Sequence, residues 1–579
     1  MAQRVWVRME LFEHFALPFP SRCTGALTPT SVGQAVATLH ALELPPAPAL
    51  GSIARPISYE VWQRIATETF QWKELECRTF WLVLVTLHEQ VLVPNERGST
   101  FDASLLADED YFLKEAVPLF KLVIFLYLHV DKPARSKSKT ALDAFSAVYS
   151  VFLSATLMRT ILRWHRDDQQ PESPRTPVTP HSPGPASPHS IGLKDRSEVE
   201  TQYLHFVKDH LDTLFVLLFD IQRQGTTFAD ILIRPEQLDL LGFLLAAGDS
   251  FVKSRYYLSS AYTKWHDGAQ YASKVSKWLK KHLTLNDALY PPLGFALTPS
   301  MHFQLHGAFE ANSGGDMDDS EGSIHLQRPI VLMNIAKSTV IKRADEVTAQ
   351  SDVVLFACHD TFVYVLGPVR HVSVVACSNC RVVLVPNSGV LTVDRCESVK
   401  VTAVPALLRV HNCLDSVLNV YTPRRSVFSG DNRGLQIGPY NCSYPLLQAH
   451  LDAAAFAYVP QTSGHWNKFI RLAADDGGEK DAVVLQLPST FHDVCIPVKM
   501  EGAAKPPPFV LPSEFHAVVR KMQENVEGLR ALVASDELDA NAKRTLELAI
   551  QAKFKEWLAA SGNARQVLDL VHLEKARSV

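Results

Sequence analysis

Residues 353–423 contain four similar stretches: VVLFACHDTFVYVLGP (353–368), VSVVACSNCRVVLVP (372–386), LTVDRCESVKVTAVP (391–405) and LRVHNCLDSVLNVYTP (408–423). Each opens on alternating apolar residues, reaches a cysteine, passes a polar corner, alternates again and ends on a proline. The cysteines are Cys358, Cys377, Cys396 and Cys413, the prolines Pro368, Pro386, Pro405 and Pro423, and both series advance by 17–19 residues. Alternation sends successive side chains to opposite faces of a strand. A β-like unit of about 18 residues in tandem is one coil of a β-solenoid, in which no coil buries its inner face without a stacked neighbour. Equivalent inward residues then form ladders. Leu355, Val374, Val393 and Val410 make one predicted ladder, and the four cysteines make another, a column of small buried thiols. Cys377 and Cys380 form a lone C-x-x-C with no second pair, and Cys380 lies beyond the polar corner, so a zinc reading is set aside.

The same register gives the outward face. Val354, Ser373, Thr392 and Arg409 each stand four residues before a cysteine, between inward neighbours. Arg409 is predicted to project into solvent from the last clear coil, with His411 on the same face. Strict alternation would turn the cysteines outward too, so burying them requires a bend just before each one.

Upstream the period is helical. Val61, Trp62, Ile65, Phe70, Phe80, Leu82, Val83 and Leu87 follow three- and four-residue steps, and Ala141–Trp164 continues the pattern. Residues 167–195 then change character: Pro171, Pro174, Pro177, Pro180, Pro183, Pro185 and Pro188 leave no continuous set of amide donors for helix or sheet. The segment reads as a disordered insertion, with Ser-Pro and Thr-Pro pairs that proline-directed phosphorylation accepts. Helical spacing resumes at Glu198–Gln222, Gln237–Tyr262 and Ala269–Leu283, and Asn312–Gly322 is a second polar break. Beyond the repeat, Ala482–Leu487 and Val494–Val498 read as strands. Two apolar stripes, Phe515 to Leu529 and Leu546 to Leu558, read as a helical hairpin, with Ser513 as N-cap and Gly562 as stop. The hairpin would cover an otherwise open sheet edge.

Composition narrows the class. The 579 residues hold 57 Lys+Arg against 61 Asp+Glu, a net charge of −4, with 47% hydrophobic residues. That balance suits two to four folded units, excludes a disordered chain and argues against a nucleic-acid partner. The first residues carry no signal-peptide pattern, position 2 is Ala rather than the Gly of a myristoylation motif, and the last four residues form no prenylation box. The apolar runs Leu122–Val130 and Ala144–Met158 are shorter than the roughly 18–20 residues that cross a bilayer. Nine cysteines, an odd number, fit a reducing, intracellular setting without a direct membrane anchor. No Walker-type loop, HExxH or G-x-S-x-G elbow is present, and His359-Asp360, His411 and His492-Asp493 lack an accompanying nucleophile.

The stacked coils, the Leu407-Leu408-Arg409-Val410-His411-Asn412-Cys413 segment, and Tyr421-Thr422-Pro423-Arg424-Arg425 followed by Tyr444-Pro445 resemble the C-CAP/tubulin cofactor C-like domain family. Further likeness to members of that family lies at Tyr59–Ala66, Phe125–Leu128, Val207–Leu211, Leu511–Ser513 and Lys553–Leu558. The resemblance implies an α+β chain: a helical N-terminal domain over 1–310, a linker over 311–328 and a right-handed parallel β-helix over 329–450. A β-containing extension over 451–510 and a helical hairpin over 511–579 complete the expected layout.

Two roles are implied by the family. Some members use an arginine on the solenoid face as a GTPase-activating finger toward tubulin or an Arf-like small G protein, neutralising charge on the transferring phosphoryl group. Arg409 holds the matching position, although Ala406 and Leu407 stand where the family's glutamine precedes its arginine, and no acidic partner is evident near Phe428-Ser429. Other members are non-enzymatic organisers at centrosomes, spindle poles and basal bodies, positioning the centrosome and Golgi and so affecting cell shape. The second role is the expectation here. It implies no cofactor and no metal, centrosomal, basal-body or tubulin-related partners, and a docking surface of Ser373, Thr392, Arg409, His411, Arg424 and Arg425.

Overall fold

The computed structural model describes residues 4–42, 54–93, 103–130, 191–219, 228–248, 253–254, 257–284, 324–325, 330–333, 335–472, 483–498, 500, 508–535, 538–561 and 563–577. The helix expected over Ala141–Trp164, the proline-rich stretch as far as residue 190, the polar break at 312–322 and Gly562 lie outside them. The chain separates into two compact units. Among the described residues no helix is long and apolar enough to cross a membrane.

The first unit is mostly helical, as the periodicity predicts. Tyr59–Phe70 buries Trp62, Ile65, Ala66 and Phe70 along one stripe and ends at Gln71, whose left-handed backbone (φ 54°) stops it. Glu74–Gln90 is buried almost all round, from Phe80 through Leu87. Ile191–Phe219 carries the expected stripe of Tyr203, Phe206, Val207, Leu211 and Leu214, and its first turn includes the final residues of the stretch read as disordered. Gln237–Tyr262, expected to be one helix, is instead broken into Pro235–Asp239, a 3-10 turn at Leu240–Phe243, a strand at Leu245–Gly248 and a single turn at Leu258–Ala261. Its run Leu240–Ala247 is buried on every side, and a short, wholly apolar run carries no period that separates helix from strand. The strand Leu245–Gly248 pairs antiparallel with Arg4–Val7, a partner from the far end of the unit that local sequence does not announce.

The second unit is the solenoid. Among the described residues, fourteen strands alternate between two parallel sheets of seven. The first sheet holds β1 (Ile330–Met333), β3 (Val353–Phe356), β5 (Val372–Val375), β7 (Asn387–Asp394), β9 (Pro405–His411), β11 (Ser426–Ser429) and β13 (Phe469–Leu472). The second holds β2 (Thr339–Lys342), β4 (Phe362–Val365), β6 (Arg381–Leu384), β8 (Lys400–Ala403), β10 (Val417–Val420), β12 (Leu435–Pro439) and β14 (Val483–Leu485). The predicted inward ladder is present rung for rung: Leu355 pairs with Val374, Val374 with Val393 and Val393 with Val410. It runs one step further at each end, to Leu332 and Phe428.

The bend that the cysteines require is made by the backbone. Ala357, Ala376, Arg395 and Asn412, each immediately before a cysteine, have φ between 50° and 53°. Asp360, Asn379, Ser398 and Asp415, three residues on, are left-handed again. Between them His359, Ser378, Glu397 and Leu414 bridge rung to rung. Each corner thus turns twice within four residues and returns the cysteine to the interior, at about 1–3 kcal/mol of local strain per left-handed non-glycine residue. Cys358, Cys377, Cys396 and Cys413 are buried in one apolar cluster with the aliphatic ladders. Three of the thiols donate to a carbonyl one rung earlier: Cys358 to Leu332 (3.5 Å), Cys396 to Val374 (3.4 Å) and Cys413 to Val393 (3.6 Å). Cys380 lies in the same core and donates to the Cys358 carbonyl at 3.2 Å.

The solenoid runs past the expected C-terminal limit. Its first rung precedes the first repeat quoted but lies within the expected 329–450, and β13 and β14 from the 451–510 extension continue the two sheets. Val494–Val498 forms no strand, only a single bridge from Val494 to Cys442. Among the described residues the C-terminal helices are three rather than the expected pair: α1 (Ser513–Ala534), α2 (Ala540–Ala560) and α3 (Asn563–Arg577). Pro512, not Ser513, is the N-cap residue of α1. Phe515 in its first turn packs on Trp466 and Phe491 at the end of the solenoid core, while Met522, Val526 and Leu529 further along are exposed. α3 lies against the second sheet, where Gln566 bonds the Tyr364 hydroxyl (2.5 Å) and Thr339 donates to Asp569 (2.9 Å).

Candidate functional site

The outward column follows from the pleat. In β3, β5, β7 and β9, Val354 pairs with Ser373, Ser373 with Thr392 and Thr392 with Arg409, so three of the expected surface residues stand on adjacent rungs of one face. Two residues along, Asp394 pairs with His411, and the His411 ring shares a 3.0 Å hydrogen bond with the Ser429 hydroxyl.

Arg409 differs from expectation. It is half-buried rather than projecting, as Ser373 and Thr392 on the neighbouring rungs are. Asp394 is ion-paired to Arg395 and feels the Arg409 charge as well. Burial pushes its carboxyl up to about 6, the two arginines opposing. Burial also lowers the Arg409 guanidinium to about 10 against the pull of Asp394, which leaves it a cation at neutral pH. His411 is lowered to about 4 by burial, then by the charges of Arg395 and Arg409, so it is neutral at pH 7. The patch thus holds one ion pair, Arg395 with Asp394, a second guanidinium that feels the same carboxylate, and a neutral imidazole on the sheet face. Asp394 and Arg395 were not singled out from sequence. The signal was present in the register, since Asp394 precedes His411 by the same 17 residues that separate Thr392 from Arg409.

Arg424 and Arg425 do not join this face. Arg424 is only 4% exposed; its guanidinium donates to the Ala406 carbonyl (3.2 Å) and lies 5.8 Å from the centre of the Tyr111 ring. Burial at the corner that Thr422 and Pro423 form therefore removes it from any free surface. Arg425 turns the other way and pairs with Glu109 (2.7 Å) and Asp110 (3.1 Å). Both arginines are covered by residues 103–112, a segment from far upstream in the chain that belongs to the solenoid's compact unit.

Comparison with known proteins places this geometry. Residues 350–468 match the family model for tubulin binding cofactor C. TBCC domain-containing protein 1 of Rattus norvegicus is 26% identical over 462 residues, covering 76% of this chain and 78% of its own length. The protein of that name in Homo sapiens is 26% identical over 386 residues, 63% of this chain and 67% of its own. The Danio rerio protein is 24% identical over 456 residues, 75% and 76%. The similarity to these relatives reaches well past the solenoid, and residues 350–468 are similar to the tubulin binding cofactor C domain.

Proposed function

We propose that this chain is a non-enzymatic cytoskeletal scaffold of the tubulin cofactor C superfamily. It acts at centrosomes, spindle poles and basal bodies, keeps the centrosome and Golgi in position and thereby contributes to cell shape. The observation that carries the reading is the chain-wide likeness to TBCC domain-containing protein 1 in several vertebrates, which extends far beyond the domain that names them. The face of Ser373, Thr392, Arg409 and His411 is the docking surface, and its partners are centrosomal, basal-body or tubulin-related proteins. Rigid parallel sheets hold such a face with little ordering cost on binding. Tagging the protein in dividing cells tests this. Signal at centrosomes and poles, with displaced Golgi and centrosomes after depletion, is expected. Diffuse signal with normal organelle spacing would contradict it.

A second reading has its own observation, the cationic Arg409 on the outward column at the family's finger position. In that reading the chain stimulates GTP hydrolysis by tubulin or an Arf-like G protein. The pull of Asp394 on the Arg409 charge argues for the scaffold, because a finger must give up that pull to insert beside a γ-phosphate.

A further inference from the structure

Residues 103–112 read Ala-Ser-Leu-Leu-Ala-Asp-Glu-Asp-Tyr-Phe, with three acids and no base. They lie on the corner after β10, where Arg424, Arg425, His465 and Lys468 converge. Glu109 pairs with Arg425 (2.7 Å) and Lys468 (3.4 Å), and Asp110 pairs with Arg425 (3.1 Å). The His465 ring meets the Leu106 carbonyl at 2.9 Å. Leu106, Tyr111 and Phe112 are buried, whereas the ion-paired side chains of Glu109, Asp110 and Arg425 are 21–30% exposed and that of Lys468 is 48% exposed. A buried Tyr111 beneath the Arg424 guanidinium, with a partly exposed charged rim, is the anatomy of a peptide interface rather than of a domain core. Exposed ion pairs of this kind are weak and screened by salt, so the rim is its releasable part.

We propose that the corner formed by Arg424, Arg425, His465 and Lys468 is a docking site for acidic peptides with a following aromatic residue, and that residues 103–112 occupy it as a built-in competitor. A partner carrying such a segment then binds only as the chain's own copy lets go. The proposal does not depend on the scaffold reading or on the Arg409 face.

The test uses the full chain and a fluorescein-labelled synthetic peptide of residues 103–112, followed by anisotropy. Glu109→Gln with Asp110→Asn weakens the internal copy, and this variant is expected to bind the peptide at least about tenfold more tightly than wild type. Adding Arg425→Ala, or separately Lys468→Glu, is expected to return binding to the wild-type level or below. A peptide with Asn, Gln and Asn in place of its three acids is expected to lose about tenfold in affinity. Glu109→Gln alone, which keeps the Asp110 pair, gives the same ordering with a smaller gain and serves if the double variant fails to fold. Equal binding by wild type and the weakened variants, or binding unaffected by Arg425→Ala and Lys468→Glu, would overturn the proposal.

Discussion

At the scale of the residue, opposed titrations meet at one corner. The Asp394 carboxyl is raised from 3.8 to about 6, so the native state holds a proton that the unfolded chain has released, and stability falls as pH climbs through that window. The His411 imidazole is lowered from 6.5 to about 4, so there the unfolded chain holds the extra proton and stability rises with pH. Relative to wild type, Asp394→Asn is expected to make unfolding free energy rise more steeply with pH, by about 1–2 kcal/mol between pH 4 and 6.5. His411→Asn is expected to make it rise less steeply. Urea unfolding across that range measures both, and changes of the same sign in the two variants would contradict the assignment. The left-handed corner residues give a second check. Ala376 sits at φ 53°, so Ala376→Val is expected to cost about 1–3 kcal/mol and Ala376→Gly to be neutral or stabilising, read by thermal melts. The positions of Ser373, Thr392 and Arg409 were legible because pleat and repeat fix them. The half-burial of Arg409 was not, because the pleat gives the direction of a side chain and not how much of it its neighbours cover.

At the scale of the element, the rungs were legible wherever alternation and the cysteine count agreed. The first rung and the β11–β12 rung, which have no cysteine, fall within the expected 329–450 without showing the repeat, and the last is separated from β12 by the excursion that holds the helix Leu447–Ala453. The cap was legible in part. The stripe from Phe515 looks uniform in sequence, yet only its first turn meets the solenoid, and an amphipathic pattern does not say how much of a helix finds a partner. Phe515→Ala, which empties the contact with Trp466 and Phe491, is expected to cost about 3–5 kcal/mol and to speed proteolysis of the C-terminal helices. Trp557→Ala, at a side chain 53% exposed, is expected to change stability by less than about 0.5 kcal/mol. Comparable losses in both would mean that α2 is packed against the core.

At the scale of the whole molecule, the solenoid has an inward face and an outward one. Inwardly, eight of the nine cysteines are buried and Cys495 alone is exposed. A thiol reagent on native protein is expected to titrate one fast cysteine, with the others appearing on unfolding; several fast thiols among Cys358, Cys377, Cys396 and Cys413 would break the ladder. The long-range placements, β-pairing of Arg4–Val7 with Leu245–Gly248 and docking of residues 103–112 beside Arg425, had no local signature. Each joins segments far apart in sequence through tertiary contacts that neither segment's own pattern encodes.

Outwardly, the central claim is that the Arg409 face docks partners and does not drive hydrolysis. Single-turnover GTP hydrolysis by tubulin and by an Arf-like G protein, with wild type and with Arg409→Ala, tests it most directly. We expect both proteins to leave the rate at that of the G protein or tubulin alone. A rate raised by wild type and lost in Arg409→Ala would contradict the account and make this solenoid a GTPase-activating domain.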